Sequence, residues 1–283
     1  MRDRKLNQSS IPQLPPACHV PAVKPLQTLV PTALLALSLP AIANDADLAK
    51  QLANPISSLI SVPVQGNLDF GMGPGDGSKF TTNIQPVIPF GLNEDWNVIS
   101  RTILPVIDQE GIALGGANDA FGLGDTVQSF FFSPKSSDPI WGIGPVFLLP
   151  TATDSFLGTE KWGAGPTGVI LKQSGPWTYG ALANHLWDFA GDGSRASVNA
   201  TFLQPFVSYI TETKTTFTLN SESTYDWQRE QWNIPLNFIV SQLLKIGDQP
   251  VQLSGGIRYY LETPDGGPEW GLRFAVTWLF PKG

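Results

Sequence analysis

From about residue 56 onward, the chain is a succession of short segments with the composition of β-strands. Each segment spans roughly 10 to 13 residues, is rich in β-branched and aromatic residues, and is bounded by Gly, Pro, Asn or Asp. The chain has 28 Gly and 25 Pro among 283 residues, and no long helical periodicity interrupts the segments. The pattern predicts an all-β fold, an antiparallel up-and-down sheet of about twelve strands. The strands are predicted at 58–70, 80–90, 96–107, 122–133, 141–151, 164–173, 177–188, 198–210, 215–227, 232–244, 250–261 and 270–280.

The connections between these segments alternate in length. The short ones read GLNED, SPKSSDP, SGP, TETK and IGDQ. The connections between them are longer and richer in Gly, Asp and Ser: GMGPGDGSK, DQEGIALGGANDAF, TATDSFLGTEKWG, AGDGSRAS, DWQREQ and ETPDGGPE. Short turns at one end and long loops at the other are typical of a transmembrane β-barrel of the outer membrane. A soluble sandwich has no reason to segregate its loops in this way.

Apolar and polar residues alternate most clearly in the last strands. The final strand has one face of large apolar side chains: Leu272, Phe274, Val276, Trp278 and Phe280. In a barrel that crosses a membrane, such a face contacts lipid and the polar face lines the interior. Strand 198–210 has no clear alternation. Several prolines fall inside predicted strands, where each removes a ladder donor and suggests a bulge; among them are Pro63, Pro86, Pro105, Pro145, Pro205 and Pro235.

The nine tryptophans provide an independent indication, because none lies in the middle of a predicted strand. Indole rings prefer the interface between hydrocarbon and water, so membrane barrels carry two girdles of aromatic residues. The predicted girdle at the short-turn end contains Trp96, Trp141, Trp177 and Trp278. The predicted girdle at the long-loop end contains Trp162, Trp187, Trp227, Trp232 and Trp270.

The N-terminal part differs from the rest in composition. An apolar run at 26–44 ends in Ala41-Ile42-Ala43, which is typical of a secretory signal peptide cleaved after Ala43. We therefore predict a leader and signal peptide at 1–43, a short periplasmic helix at 44–55 and a transmembrane β-barrel at 56–283. Cys18 lies in the leader, so the chain after cleavage has no cysteine and forms no disulfide. We expect the helix to sit at the periplasmic end, in the mouth of the barrel.

Charged side chains inside predicted strands are the best indication of function, because ionisable groups at membrane depth face the interior and find partners. They are Asp69, Arg101, Glu222, Arg258 and Arg273. Two readings remain open. The charges form a network that braces or fills the barrel, or they form a polar constriction that selects solutes.

The residues provide no catalytic set, and we expect no enzyme activity, metal or cofactor. His185 is the one histidine after the leader, and its neighbour Asn184 points to the opposite face of its strand. Four acidic residues follow the third predicted strand, 96–107. They are better explained as part of a solvated loop than as ligands of a calcium site; they are Asp108, Glu110, Asp119 and Asp125. The formal net charge of −7 argues against nucleic acid as a partner.

Several stretches resemble a family of proteobacterial outer-membrane proteins named for the MetA pathway of phenol degradation, whose members are often labelled transporters or neuromedin U. They are DLAKQLANPISSLISVPVQGN, QPVIPFGLNEDWNVISRTILPVI, FGLGDTVQSFFFSPK, GPVFLLPTATD, LGTEKWGAGPTGV, GPWTYGALANHLWDFAGD and GGPEWGLRFAVTWLF. The resemblance implies an outer-membrane barrel of a Gram-negative bacterium, involved in the uptake of aromatic or other small apolar compounds. It carries over no catalytic or ligand residue.

We therefore expect a porin-like barrel in the cell outer membrane that passes small solutes by diffusion, with lumen charges and inward loops setting selectivity. The expected partners are outer-membrane lipid, lipopolysaccharide, the outer-membrane assembly machinery and a small-molecule solute. A non-conducting structural or adhesive barrel is the alternative. A lipid-modifying barrel enzyme is disfavoured for want of a catalytic set.

Overall fold

The computed structural model describes residues 45–280, and the predicted leader lies outside them. The described chain begins with helix α1 (Asp45–Leu52), which ends three residues before the predicted helix does. It is followed by fifteen strand segments. They are β1 (Ile60–Met72), β2 (Gly77–Ile84), β3 (Val87–Gly91), β4 (Trp96–Glu110), β5 (Ala120–Leu123), β6 (Thr126–Pro134), β7 (Ile140–Leu149), β8 (Lys161–Ser174), β9 (Trp177–Gly191), β10 (Asn199–Ile210), β11 (Thr215–Ser221), β12 (Ser223–Asp226), β13 (Gln231–Ile246), β14 (Gln249–Glu262) and β15 (Trp270–Phe280).

These segments form a closed antiparallel barrel of twelve strands, which confirms the predicted fold class. Three strands are each interrupted once, so that β2 with β3, β5 with β6, and β11 with β12 form one barrel strand each. The barrel closes where β1 pairs with β15, from Ile60 opposite Phe280 to Phe70 opposite Trp270. No helix in the described part of the chain is long and apolar enough to cross a membrane.

Prolines account for much of the irregularity in the sheet. Pro86 lies between β2 and β3, and a register shift separates Ile234 from Pro235. Pro105 faces the gap between β5 and β6, where its carbonyl accepts the N–H of Gly124. Pro63 and Pro205, in contrast, pair without a shift in register. A missing N–H therefore breaks the ladder at some of the predicted positions and is tolerated at others.

The two ends of the barrel differ as predicted, although all six long loops are shorter than expected and two of them are as short as the turns at the other end. The end with turns at 92–95, 135–139, 175–176, 211–214 and 247–248 is called the short-turn end here. The connections at the other end, the long-loop end, are 73–76, 111–119, 150–160, 192–198, 227–230 and 263–269. The strands extend further than predicted into the sequences read as loops. The connections 73–76 and 227–230 are consequently four residues each.

Helix α1 and the residues after it, 45–59, enter the barrel at the short-turn end; this stretch is called the plug segment. Leu48 and Leu59 are buried against Leu243 and Leu279, which point inward from β13 and β15. The backbone carbonyl of Lys50 accepts a hydrogen bond from Gln173 near the end of β8 (2.8 Å). The interior of the barrel is therefore partly filled by the chain's own N-terminal part.

Candidate functional site: the barrel interior

The interior of the barrel has two unlike walls. An apolar wall runs over the strands from β3 to β10 and packs around Ile56 of the plug segment. Its buried side chains are Val87, Ile99, Phe131, Val169, Leu171 and Leu182, with Ile140, Phe202 and Phe206 packed against them. The charged residues singled out in the sequence lie mostly on the opposite side of the barrel, on β11 to β15 with β1 and β2; together with Arg101 of β4, this side is called the polar wall here. Alternation alone does not predict the apolar wall, because the strands that form it are apolar on both faces.

Arg273 is the centre of the polar wall. It points inward from β15 and forms a bidentate pair with Glu222, with Nη1–Oε1 and Nη2–Oε2 distances of 2.8 and 2.6 Å. Its Nε atom donates a hydrogen bond to Asn67 Oδ1 of β1 (2.7 Å). Glu222 lies at the break between β11 and β12, so the pair spans β13 and β14. A planar guanidinium that engages a carboxylate through two parallel bonds gives a strong and geometrically specific contact.

A second group of charges lies beside the first. Asp69 of β1 accepts a hydrogen bond from the Tyr260 hydroxyl (2.9 Å) and lies 3.8 Å from Arg258 Nε. The guanidinium of Arg258 also lies over the ring of Tyr260, 5.4 Å from its centroid. Lys79 of β2 stands directly opposite Asp69 in the strand register and therefore shares its inward face.

Arg101 stands apart from these pairs. It points inward from β4, and its Nη2 atom donates a hydrogen bond to Gln85 Oε1 (3.3 Å). It lies within electrostatic range of Glu222. The five charged residues singled out in the sequence thus all lie inside the barrel, and four of them form the two adjacent groups.

The sequence pattern missed several contributors to this site. Asn67 and Tyr260 are uncharged, and Lys79 was assigned to a loop because β2 begins three residues earlier than predicted. Counting Lys79, the ionisable residues of the polar wall are four cations and two carboxylates. They are Lys79, Arg101, Arg258 and Arg273 against Asp69 and Glu222. This part of the interior therefore carries a net charge of +2, in a chain whose formal net charge is −7.

The connection 150–160 closes part of the long-loop end. Leu157 is buried near Ile107, where Gly122 and Gly124 leave the space that side chains would otherwise occupy. Asp125 fixes the connection by accepting the N–H and O–H of Thr159, both at 2.6 Å. The loop thus bends towards the interior rather than extending away from the barrel.

Outward-facing side chains on the barrel are large and apolar. Phe274, Ile257 and Phe238 are examples, each between 45 and 58% exposed. The tryptophans expected to form girdles lie at or near strand ends, and Trp96 and Trp141 contact each other edge to face at 5.8 Å. Their assignment to membrane interfaces stays a prediction.

His185 faces outward on β9. Its Nδ1 atom is 2.7 Å from the Thr201 hydroxyl, and its ring lies 4.0 Å from that of Trp187. Within residues 45–280, no three potential metal-ligating side chains cluster together. Asp119 and Asp125, two of the acids considered for calcium, hydrogen-bond backbone N–H groups of the loops instead.

Similarity to known proteins is found in the three-dimensional structure. Neither protein-family models nor curated proteins match the sequence. The chain is similar in fold to an outer membrane channel from Pseudomonas putida F1, with a TM-score of 0.62 and 16% identity over 79% of this chain and 96% of that one. At this identity the likeness shows a shared barrel fold.

Two further solved structures are more distant. The NanC porin aligns with a TM-score of 0.47 and 13% identity, over 78% of this chain and 100% of that one. The outer membrane phospholipase dimer of Salmonella typhi, with bound calcium, aligns with a TM-score of 0.46 and 8% identity, over 86% of this chain and 99% of that one.

The Arg273–Glu222 pair provides a stability test. Glu222→Ala leaves Arg273, whose side chain is 3% exposed, without its carboxylate, and we expect a loss of about 3–5 kcal/mol in the free energy of unfolding. The double variant Arg273→Met/Glu222→Leu removes both charges and should lose much less. Urea unfolding of the protein in lipid vesicles, followed by tryptophan fluorescence, measures the difference.

The matched control is Arg229→Ala, which removes an exposed pair with Asp226 at 3.5 Å in the connection 227–230. Its expected effect is below about 1 kcal/mol. A loss of similar size in Glu222→Ala and Arg229→Ala would contradict the bracing role of the interior pair.

Proposed function

We propose that this chain is an outer-membrane channel through which small solutes, aromatic or apolar compounds among them, pass by diffusion. The observation that most strongly supports this proposal is the contrast between the outer and inner faces of the barrel. The outer face has large exposed apolar side chains, whereas the interior holds ionised groups beside a cavity of about 150 Å³. An apolar exterior suits lipid, and an interior with charged groups on one wall and apolar side chains on the other suits a path for small solutes of mixed polarity.

On this proposal the short-turn end is periplasmic, and outer-membrane lipid and lipopolysaccharide surround the wall. We also propose that the chain belongs to the barrel family named for the MetA pathway, which its sequence resembles. The shared fold with the Pseudomonas putida channel supports the barrel architecture of this proposal. The polar wall and the connection 150–160 would then set selectivity.

A non-conducting structural barrel is the second candidate, and a specific observation favours it. The plug segment buries Leu48, Leu59 and Ile56 inside the barrel, and Arg273 with Glu222 bridges the interior. Side chains and the plug segment therefore fill much of the interior. This candidate assigns the charges to bracing rather than to selection.

Planar bilayers distinguish the two candidates. We expect the purified full-length protein to give discrete, ohmic current steps of small conductance, because the plug segment narrows the path. Liposomes containing it should swell in small solutes and not in large ones. Detergent-only bilayers, and bilayers with the heat-denatured protein, are the controls. Silence at every voltage together with the absence of solute flux would overturn the channel proposal in favour of the structural one.

A further inference from the structure

The cavity of the interior lies between the plug segment and the wall, near the short-turn end. Its volume is about 150 Å³. β1, β4, β14 and β15, with the break between β2 and β3, supply its polar lining from the wall, and the plug segment supplies its cover. The lining residues that matter are Arg101, Gln85, Gln252, Thr277, Val87 and Leu52. The lining of this cavity thus combines one cation with uncharged polar side chains and a few apolar ones, and Val87 lies directly beside Arg101 in the strand register.

Arg101 has few hydrogen-bond partners for a guanidinium inside the barrel. Among residues 45–280, its one hydrogen bond is the 3.3 Å contact with Gln85. A guanidinium has five N–H donors, and removing it from bulk water is costly unless a carboxylate or several acceptors compensate. Glu222, the carboxylate that acts on Arg101 through space, is already engaged by both Nη atoms of Arg273. Donors of Arg101 therefore remain for a further acceptor.

The surrounding charge favours an anion in particular. The polar wall carries four cations against two carboxylates, and both carboxylates face partners of their own: Arg273 for Glu222, Arg258 and Tyr260 for Asp69. In a region of low dielectric constant, this unbalanced positive charge is felt strongly. An entering carboxylate would compensate it.

The size of the cavity and its apolar lining residues restrict the anion further. A cavity of this volume holds one benzene ring, as an engineered protein cavity of similar volume does. Val87 begins the apolar wall, and Leu52, Pro55 and Pro63 also contribute to the lining. A ring-sized apolar group with one charged end would match a lining that holds a guanidinium next to apolar side chains.

We infer that this cavity is a binding subsite for small amphipathic carboxylates, with Arg101 as the residue that holds the carboxylate and Gln85 beside it. The inference rests on the proposed channel function, because it assigns the class of solute to that path. The planar guanidinium of Arg101 can donate two parallel hydrogen bonds, one to each carboxylate oxygen. The ring then lies towards Val87 and Leu52.

Titration calorimetry on the full-length protein in detergent tests the subsite independently of conductance. Benzoate is the probe, and benzamide is its neutral isostere. We expect benzoate to bind the wild-type protein at least about 10-fold more tightly than benzamide, because only the anion compensates Arg101. Arg101→Gln should weaken benzoate binding by about 10- to 100-fold and leave benzamide nearly unchanged. Arg101→Lys keeps the positive charge but loses the two parallel N–H donors. Its affinity for benzoate should therefore lie between those of the wild type and Arg101→Gln.

Arg229→Gln is the matched control, because it removes a cation from an exposed connection outside the interior. It should bind benzoate as the wild type does. Equal binding of benzoate and benzamide by the wild type, or full benzoate affinity in Arg101→Gln, would overturn the subsite. If Arg101→Gln does not fold, as shown by the loss of heat-modifiable migration, two measurements still test the subsite. They are the comparison of benzoate with benzamide on the wild-type protein and the benzoate affinity of Arg101→Lys. A protein that binds benzoate but passes no current would keep the subsite and refute the channel.

Discussion

Replacing Phe274 by aspartate is expected to abolish assembly of the barrel into membranes. Phe274 lies in the middle of β15 on the outward face and is 50% exposed, and its ring stacks on Phe80 at 5.8 Å. The same ring covers Gly66 of β1, where a Cβ atom would collide with it. The substitution therefore removes packing across the β15–β1–β2 contact and exposes a carboxylate to hydrocarbon. Together these effects cost on the order of 3–5 kcal/mol.

Thr277→Asp is the matched variant, since it introduces the same charge three residues later on the inward face. Thr277 is 5% exposed and lines the cavity that contains Arg101, whose guanidinium compensates an added carboxylate. We expect this variant to assemble far better than Phe274→Asp. Heat-modifiable migration on unboiled gels and protease resistance of membrane fractions measure the folded amount. Equal loss in both variants would contradict the assignment of the two faces.

Deleting residues 45–58 is expected to raise the single-channel conductance several-fold. The deletion removes the helix that covers the short-turn end and the Ile56 side chain that reaches the apolar wall. The cavity at Arg101 would then open directly at the short-turn end, because the plug segment forms one of its walls. Single-channel recordings in planar bilayers, with ions of increasing size as charge carriers, give the effective width.

The control for this deletion is Asp47→Ser/Lys50→Ser, which changes two exposed side chains of α1 and leaves its buried face intact. It should conduct as the wild-type protein does. An unchanged conductance in the deletion variant would mean that the plug segment does not limit the path. Current in the deletion variant alone, with a silent wild type, would instead identify the segment as the closure that makes the full-length barrel non-conducting.

The strands and their faces were predictable because they depend on local periodicity. The alternation in 270–283 assigns Phe274 and Thr277 to opposite faces, and the structure places them so. Period-two patterns need no knowledge of distant residues. Strands without clear alternation, such as 198–210, were predictable from their length, their composition and the turn residues that bound them. The strand ends were less predictable, since residues such as Lys79 extend strands into sequences rich in glycine.

The arrangement of the interior was not predictable in the same way. Arg273 and Glu222 are 51 residues apart in sequence, and two strands, β13 and β14, lie between them in the sheet. Their contact therefore depends on the curvature and closure of the barrel. Ile56 contacts the apolar wall only because the plug segment turns into the barrel. Phe131 lies in a run of three phenylalanines, where alternation cannot separate an inward from an outward face.

The pairing of β1 with β15 has a consequence for the order of folding. The residues it joins, such as Ile60 and Phe280, are the most distant in the barrel sequence, so this contact is the last that synthesis permits. Before it forms, both strands expose unpaired backbone edges that invite association with other chains. Contacts of such long sequence separation also form slowly, because loop closure costs entropy. The chain is therefore expected to need a chaperone that shields both edges until the two strands meet.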